Sequence, residues 1–185
     1  MKSIRISLLL IMTIIFLAGC IAIPIGDGNK LRLSKKGITV TDEDGDEHSI
    51  TIDEEEKSLS ITGFGMDEDE GIQLGENLDL PETFPEEIPI ANDAQILSSS
   101  SVGGNIIVYY HTDLPYEDVK HEYKNYYEAE AASFDGEVQI TEQEDVEYKN
   151  IELEGIKGNE SVHVYIEADE EGTTVYIGIS NEGEA

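Results

Sequence analysis

The chain has 185 residues, 41 acids against 11 Lys and Arg, a formal charge of −30 and a single cysteine. Such charge density repels phosphate backbones and anionic lipid surfaces, which excludes nucleic acid as a partner. One cysteine excludes a disulfide framework, so burial and backbone pairing must hold the fold. At the N-terminus, Lys2 and Arg5 precede an apolar run from Ile6 to Leu17, and small residues follow up to Cys20. A basic start, a short apolar core and small residues are the parts of a secretory signal peptide. The run is about 12 residues long, short of the roughly 20 needed to cross a bilayer.

The tetrapeptide Leu17-Ala18-Gly19-Cys20 resembles the lipobox of bacterial lipoproteins. That resemblance implies a diacylglyceryl group on the Cys20 thiol, cleavage before Cys20, and acylation (palmitate or a similar chain) of the new amino terminus. It places the protein on the extracytoplasmic face of the cell membrane. Two chains on one sulfur make a stable anchor, since each buried methylene contributes about 0.8 kcal/mol and one acyl chain alone binds reversibly. The competing reading is an ordinary secreted protein in which Cys20 is a stray thiol. Residues 1–19 are then the signal peptide, and 166 residues remain (185 − 19) with a charge near −32 (−30 − 2). That length suits one ordinary domain or two small ones. Three readings of the acidity compete: solubility of an exported surface, a cation-collecting surface, and partial disorder. Disorder is expected only at Asp67–Glu70 and at the last residues, because apolar alternation recurs elsewhere.

Residues 20–30 read as a lipidated cysteine and tether, with Pro24, Gly26 and Gly28 opposing regular structure and Ile21, Ile23 and Ile25 set at the lipid interface. Residues 31–79 repeat a simple unit. Apolar pairs at i and i+2 (Leu31/Leu33, Ile38/Val40, Ile50/Ile52, Leu59/Ile61, Ile72/Leu74) alternate with turn-formers and acids. Period-two alternation predicts half-buried strands, hence a meander of short antiparallel strands. Its apolar face is thin, so it is expected to pack on the rest of the chain or to be the looser part. Residues 80–93 form a Pro-rich connector around Phe84, whose ring is expected to plug one end of the core.

Residues 94–185 predict the better-formed part. Ala94–Ser98 and Asn105–His111 read as strands around a Ser99–Gly104 loop, with Gly103-Gly104 suited to positive φ. The serine run reads as turn and strand edge. A helix is expected from Pro115 to Ala132, with Pro115 at its first position, Glu117 and Asp118 near the positive end, and Asp135-Gly136 ending it. Val119, Tyr123, Tyr126, Tyr127 and Glu130 fall at helical spacing. Val138–Thr141, Tyr148–Ile156, Ser161–Glu167 and Thr173–Ser180 read as further strands. The fold class is therefore α+β, mostly β: a short-strand meander, then an antiparallel sheet in the order β-β-α-β-β-β-β with one helix packed on one face. Within it, Pro81-Glu82-Thr83-Phe84-Pro85-Glu86-Glu87-Ile88-Pro89 and Glu122-Tyr123-Lys124 resemble the proline-rich entry and helix of small Gram-positive lipoproteins that have no assigned chemistry. The similarity covers roughly residues 80 to 130 and bears on fold, not on function.

Candidate sites follow from residue type and spacing. Asp42, Asp44 and Asp46 suggest a weak Ca²⁺ loop, but the glycine is at position 4 and position 12 is Asp53, which departs from the EF-hand pattern. The competing reading is a hairpin turn made of good turn-formers; Asp67–Glu70 reads the same way. The histidines (His48, His111, His121, His163) show no metal spacing, and His111 meets His163 only if their strands are neighbours. Nucleophile-elbow, zincin, Walker and dinucleotide motifs are absent, and carboxylates are too abundant for a pair to carry meaning. No catalytic residue and no cofactor is assigned. The most pointed pattern is aromatic. If Ser161–Glu167 and Thr173–Ser180 form a symmetric hairpin around Asp169–Gly172, Tyr165 faces Tyr176 and His163 faces Gly178. Tyr165, Tyr176 and His163 then share the face away from the helix, as Tyr109 does on its own strand, and a tyrosine presents an apolar ring with a polar tip to a sugar or peptide. Against this stands plain cross-strand stabilisation, or cover by the meander.

The expectation is a lipid-anchored, non-catalytic protein that binds an envelope protein or a cell-wall polymer. The alternatives are a solute- or cation-binding accessory lipoprotein and an envelope hydrolase. An open sheet face with exposed aromatics favours binding, a covered one a structural role, and a dry cleft with two carboxylates an enzyme.

Overall fold

The computed structural model describes residues 20–26, 28–144, 149–168 and 172–181. Residues 1–19, expected to be a signal peptide, together with Tyr148, Asp169–Glu171 and the last four residues, lie outside the described residues. Among the described residues, twelve strands and one helix follow in chain order: β1 (Cys20–Gly26), β2 (Asn29–Ser34), β3 (Gly37–Thr41), β4 (Glu47–Asp53), β5 (Ser58–Thr62), β6 (Gly71–Leu74), β7 (Gln95–Val102), β8 (Asn105–Thr112), α1 (Tyr116–Ala129), β9 (Gln139–Glu144), β10 (Lys149–Lys157), β11 (Glu160–Ala168) and β12 (Thr173–Asn181). All twelve strands join one antiparallel sheet in the order β1-β2-β3-β4-β5-β6-β7-β8-β12-β11-β10-β9. The described residues are mostly strand, with one helix packed on β10 and β11. This is the α+β architecture that the apolar spacing predicts.

The meander extends the sheet edge to edge instead of covering it. Strand β6 pairs with β7 through Gly71↔Ser101, Ile72↔Ser100, Gln73↔Ser99 and Leu74↔Ser98. The tether expected at residues 20–30 is largely strand. Cys20 to Pro24 pair with Ser34 to Lys30, and a bulge between Pro24 and Gly26 follows. An edge strand tolerates proline because one side of it needs no ladder donor. The serine run lies inside β7, between β6 and β8, so it is neither turn nor edge. The turn after it is Gly103-Gly104 alone, with φ of 60° and 73°. A two-residue hairpin of this hand asks for positive φ at both positions. Asp67–Glu70, read both as a turn and as a segment open to disorder, is a pinned turn. One Glu70 carboxylate oxygen accepts from the Asp67 N–H at 2.9 Å and the other from the Gly103 N–H at 2.5 Å.

The core lies entirely beyond residue 80 among the described residues. Ile106, Val108, Tyr110, Val175, Ile177, Ile179, Val162, Val164, Ile166, Ile151 and Leu153 point to one side of the sheet, as period-two alternation requires. Helix α1 seals that side with Tyr116, Val119, Tyr123 and Tyr127. It starts one residue later than expected, because Pro115 is its N-cap with ψ of 141°, and it stops at Ala129, before Asp135-Gly136. Phe84 and Ile88 close one end of the core from two turns in the connector, Phe84 N–H to Pro81 O at 2.9 Å and Ile88 N–H to Pro85 O at 3.2 Å.

Buried hydroxyls are usually hydrogen-bonded, and three of the four buried tyrosines here find partners while the Tyr116 hydroxyl has none among the described residues. Tyr123 donates to Pro89 O at 2.5 Å and lies 3.1 Å from the Tyr110 hydroxyl, while Tyr127 reaches Val162 O at 2.9 Å and Leu153 O at 3.2 Å. Burial pushes the Tyr110 pKa up to about 12. On the helix surface, Lys120 contacts Glu117 at 2.7 Å and Glu142 of β9 at 2.7 Å. Burial works against the Lys120 charge, but these hydrogen bonds outweigh it and hold its pKa above the usual lysine value. At the exit of β8, the Asp93 carboxylate accepts from the Thr112 hydroxyl and the Asp113 N–H.

Two predictions follow from these contacts. Phe134 stacks on Tyr127 with ring centroids 5.3 Å apart, and a Cβ at Gly155 would lie 2.7 Å from the Phe134 ring. Gly155→Ala should destabilise the chain by about 1–3 kcal/mol, the range for overpacking, read as a lower denaturant midpoint with unchanged slope. The Asp93 pKa is lowered, chiefly by the Thr112 hydroxyl. A depressed carboxylate pKa contributes stability that is present above the unfolded value and lost as pH falls through the folded one. Asp93→Ala should therefore lower the melting temperature at neutral pH, and the difference should shrink below the ordinary aspartate value of about 3.9.

Candidate functional site

The hairpin register puts the predicted aromatic residues together. Tyr165 pairs with Tyr176 and His163 with Gly178 across β11 and β12. Tyr176 pairs in turn with Tyr109 of β8, and Tyr165 with Glu152 of β10. Paired residues on neighbouring antiparallel strands project to the same face. Tyr109, Tyr176 and Tyr165 thus form a ladder over three adjacent strands, on the face opposite α1.

Local contacts order this ladder. The Tyr176 ring leans over Gly178, where an added Cβ would lie 3.2 Å from it, and meets the His163 ring edge-on at a centroid distance of 6.0 Å. His163 Nε2 lies 2.7 Å from Glu152 Oε1. The Tyr165 hydroxyl donates to Glu167 Oε2 at 3.4 Å. The face is open: Tyr109 and Ile107 are 38% and 39% exposed, and Tyr165, Tyr176 and His163 are half-buried. Among the described residues the meander contributes no cover to it, since β1–β6 lie beside β7 in the same layer. His111 and His163 do not meet, because β12 separates their strands.

Sequence reasoning missed how far this face extends. Following the pairs outward from Tyr109 gives Ser98, Leu74, Leu59 and Ile52. A second row runs Leu33, Ile38, Ile50, Ile61, Ile72, Ser100, Ile107. The apolar side of the meander and the tyrosine ladder are one continuous surface. Ile38, Ile52 and Leu74 in it are 45%, 52% and 43% exposed. A bulge between Ile96 and Ser98 keeps Ile96 in the core while Ser98 and Ser100 face outward. No local signal reports this, because it depends on the β6–β7 register across a 20-residue connection, Gly75 to Ala94.

The acidic segments are held by backbone. One Asp42 carboxylate oxygen accepts the N–H groups of Asp44, Gly45 and Asp46 at 2.9 to 3.0 Å, and the other lies 3.6 Å from His48 Nε2. Asp46 and its neighbours thereby lower the Asp42 pKa, while Asp44 and Asp46 themselves are exposed. Among the described residues, no group of three or more His, Cys, Asp or Glu is placed to hold a metal ion. A depression of about 580 Å³ beside β6 is lined by Glu68, Asp69, Glu70, Asp79 and Glu82 together with Ser99 and Ser101. Four of these acids are exposed, and the Glu70 pKa is lowered by the Asp67 N–H, with Gly103 and Gly104 adding to it. A general acid at neutral pH needs the opposite shift. No family model, curated protein or solved structure matches the chain.

Proposed function

We propose that the chain is a lipid-anchored protein of the extracytoplasmic membrane surface, held by acyl chains on Cys20, that binds a cell-wall polymer or envelope protein without catalysis. The supporting observation is the uncovered sheet face that carries Tyr109, Tyr176 and Tyr165 in register. Rigid aromatic rings with polar tips suit an extended partner laid across strands. Strand order adds a second support. Cys20 opens β1 at one edge, and β12 lies eight strand spacings away, on the order of 40 Å at about 4.8 Å per strand. With Cys20 anchored and the sheet upright on its β1 edge, the tyrosine ladder stands well off the membrane.

Cys20→Ser should leave an unlipidated precursor that no longer enters the detergent phase on phase separation; continued partitioning would end the anchor reading. Tyr165→Ala combined with Tyr176→Ala should reduce retention on isolated cell-wall material by about tenfold or more, the scale of losing central aromatic anchors. Unchanged retention, with the variant's melting temperature intact, would remove the tyrosine ladder as the binding surface for such polymers.

A further inference from the structure

The overall charge hides a local reversal of sign. Residues 20–41 carry Lys30, Arg32, Lys35 and Lys36 against Asp27 alone, a net +3 (4 − 1). Residues 42–185 carry the remaining five lysines against 40 acids, a net −35 (5 − 40). Because the strands follow chain order from β1 to β8, the positive segment forms one end of the sheet.

The two groups of cations also differ in their partners. Lys57, Lys120, Lys124, Lys149 and Lys157 each lie within 4.0 Å of a glutamate. Among the described residues, no carboxylate lies within 4.0 Å of the charged nitrogens of Lys30, Arg32, Lys35 or Lys36. Besides the Glu56 N–H, Lys36 is close enough to Asp53 to help lower its pKa, so the patch is basic on balance and bordered by acids on its Lys35–Lys36 side. Three of the four cations surround a depression of about 400 Å³ whose lining is completed by Ser34, Gly37, Thr39 and Thr51, with no acid. The acids Asp53, Glu54 and Glu55 line the adjoining depression with Lys35 and Lys36 and mark the limit of the basic region. On edge strand β1, Ile23 and Ile25 are 40% and 53% exposed. Ile23 pairs with Leu31 and so projects to the face opposite Lys30 and Arg32, and the apolar and basic side chains meet one membrane when the sheet stands on its β1 edge.

We propose that the β1–β3 end of the sheet is a docking surface for an anionic lipid membrane, with Ile23 and Ile25 entering the interface and Lys30, Arg32, Lys35 and Lys36 meeting lipid phosphates. An apolar edge strand with basic side chains just above it is a combination that suits interfacial binding edge-on, and a polybasic patch is a recognised second signal beside acylation. The proposal takes from the anchored reading only the position of Cys20, at the start of the same strand. The acidic remainder of the molecule is repelled by the same lipids, so docking also orients the sheet away from the surface. Repulsion from anionic lipid thus acts on residues 42–185 and not on the first three strands.

The test uses the intact, membrane-derived protein in vesicles of phosphatidylcholine with and without phosphatidylglycerol. Cys20 is the only cysteine, so when it is acylated a thiol introduced by Ile25→Cys is the one available to an environment-sensitive fluorophore. Thr141→Cys on β9, at the far edge, serves as the control. The label at position 25 should report apolar surroundings only with phosphatidylglycerol present. It should return to aqueous emission in about 1 M sodium chloride, where the screening length is about 3 Å. The label at 141 should stay aqueous throughout. Replacing Lys30, Arg32, Lys35 and Lys36 by Ser should lower the docked-to-free ratio by roughly fivefold per cation removed. Equal emission on both vesicle types, or wild-type docking by the four-cation variant, overturns the proposal. So does loss of docking in millimolar inorganic phosphate but not in chloride of equal ionic strength, which assigns the site to free phosphate. A shift without vesicles that grows with protein concentration overturns it in favour of contact between copies. Labelling of the unsubstituted protein exposes a free Cys20 thiol and counts against the anchor alone. Docking is then read from hydrogen exchange of the residue 22–40 amides on the same vesicles, protected if the proposal holds and unprotected if it fails.

Discussion

Four residue pairs between β6 and β7 determine what kind of object this molecule is. They splice a meander with no core of its own onto a sheet backed by a helix. They also fix parity, because a one-residue slip would turn every side chain of the meander to the opposite face. In the observed register Ile72 and Leu74 emerge on the same side as Ile107 and Tyr109, away from α1. Everything on the open face, from the isoleucine rows to the tyrosine ladder, depends on that short splice.

Energetics divide the sheet at the same place. Beyond residue 80, alternating strands bury one face completely against α1 and the connector, and three buried tyrosine hydroxyls are satisfied by backbone carbonyls or by one another. In the meander, apolar side chains shield mainly their cross-strand neighbours, and neither the helix nor a second strand layer packs over them among the described residues. Its turns compensate locally. The carboxylates of Asp42, Asp53 and Glu70 each accept two or more backbone N–H groups, so part of the large acid content serves as turn caps. Part of the remainder clamps β9 to the helix through Lys120 and Lys124.

Local rules carried far in this chain, and failed where distant segments meet. Period-two spacing located the strands, and hairpin symmetry gave the Tyr165–Tyr176 and His163–Gly178 pairs because both strands and the turn lie within about twenty consecutive residues. The helix stripe through Val119, Tyr123 and Tyr127 was legible for the same reason. Residues 20–26 were misread because proline and glycine are judged as breakers without knowing that the strand sits at an edge. The serines of β7 were misread because small polar residues on a central strand look like a loop. The union of the apolar and aromatic faces was invisible, since it is set by long-range register and by the Ile96–Ser98 bulge. The reversed charge at the β1–β3 end was written in the sequence, but it acquires meaning only when strand order gathers it at one end of the sheet.

The two outermost strands govern whether such a ribbon grows. An unprotected flank of a sheet is a template for further chains, and a single-layer sheet with an apolar side is especially exposed to stacking. Here the flank at β1 contains Pro24, which offers no hydrogen to an incoming strand, together with a local irregularity that breaks the ladder. The opposite flank, β9, carries Glu142 and Glu144 with the Lys120 and Lys124 that pair with them, so an approaching strand meets charged groups it would have to desolvate. Length is thereby capped at both ends without a closing barrel, and the molecule remains a finite plank instead of the first layer of a fibril.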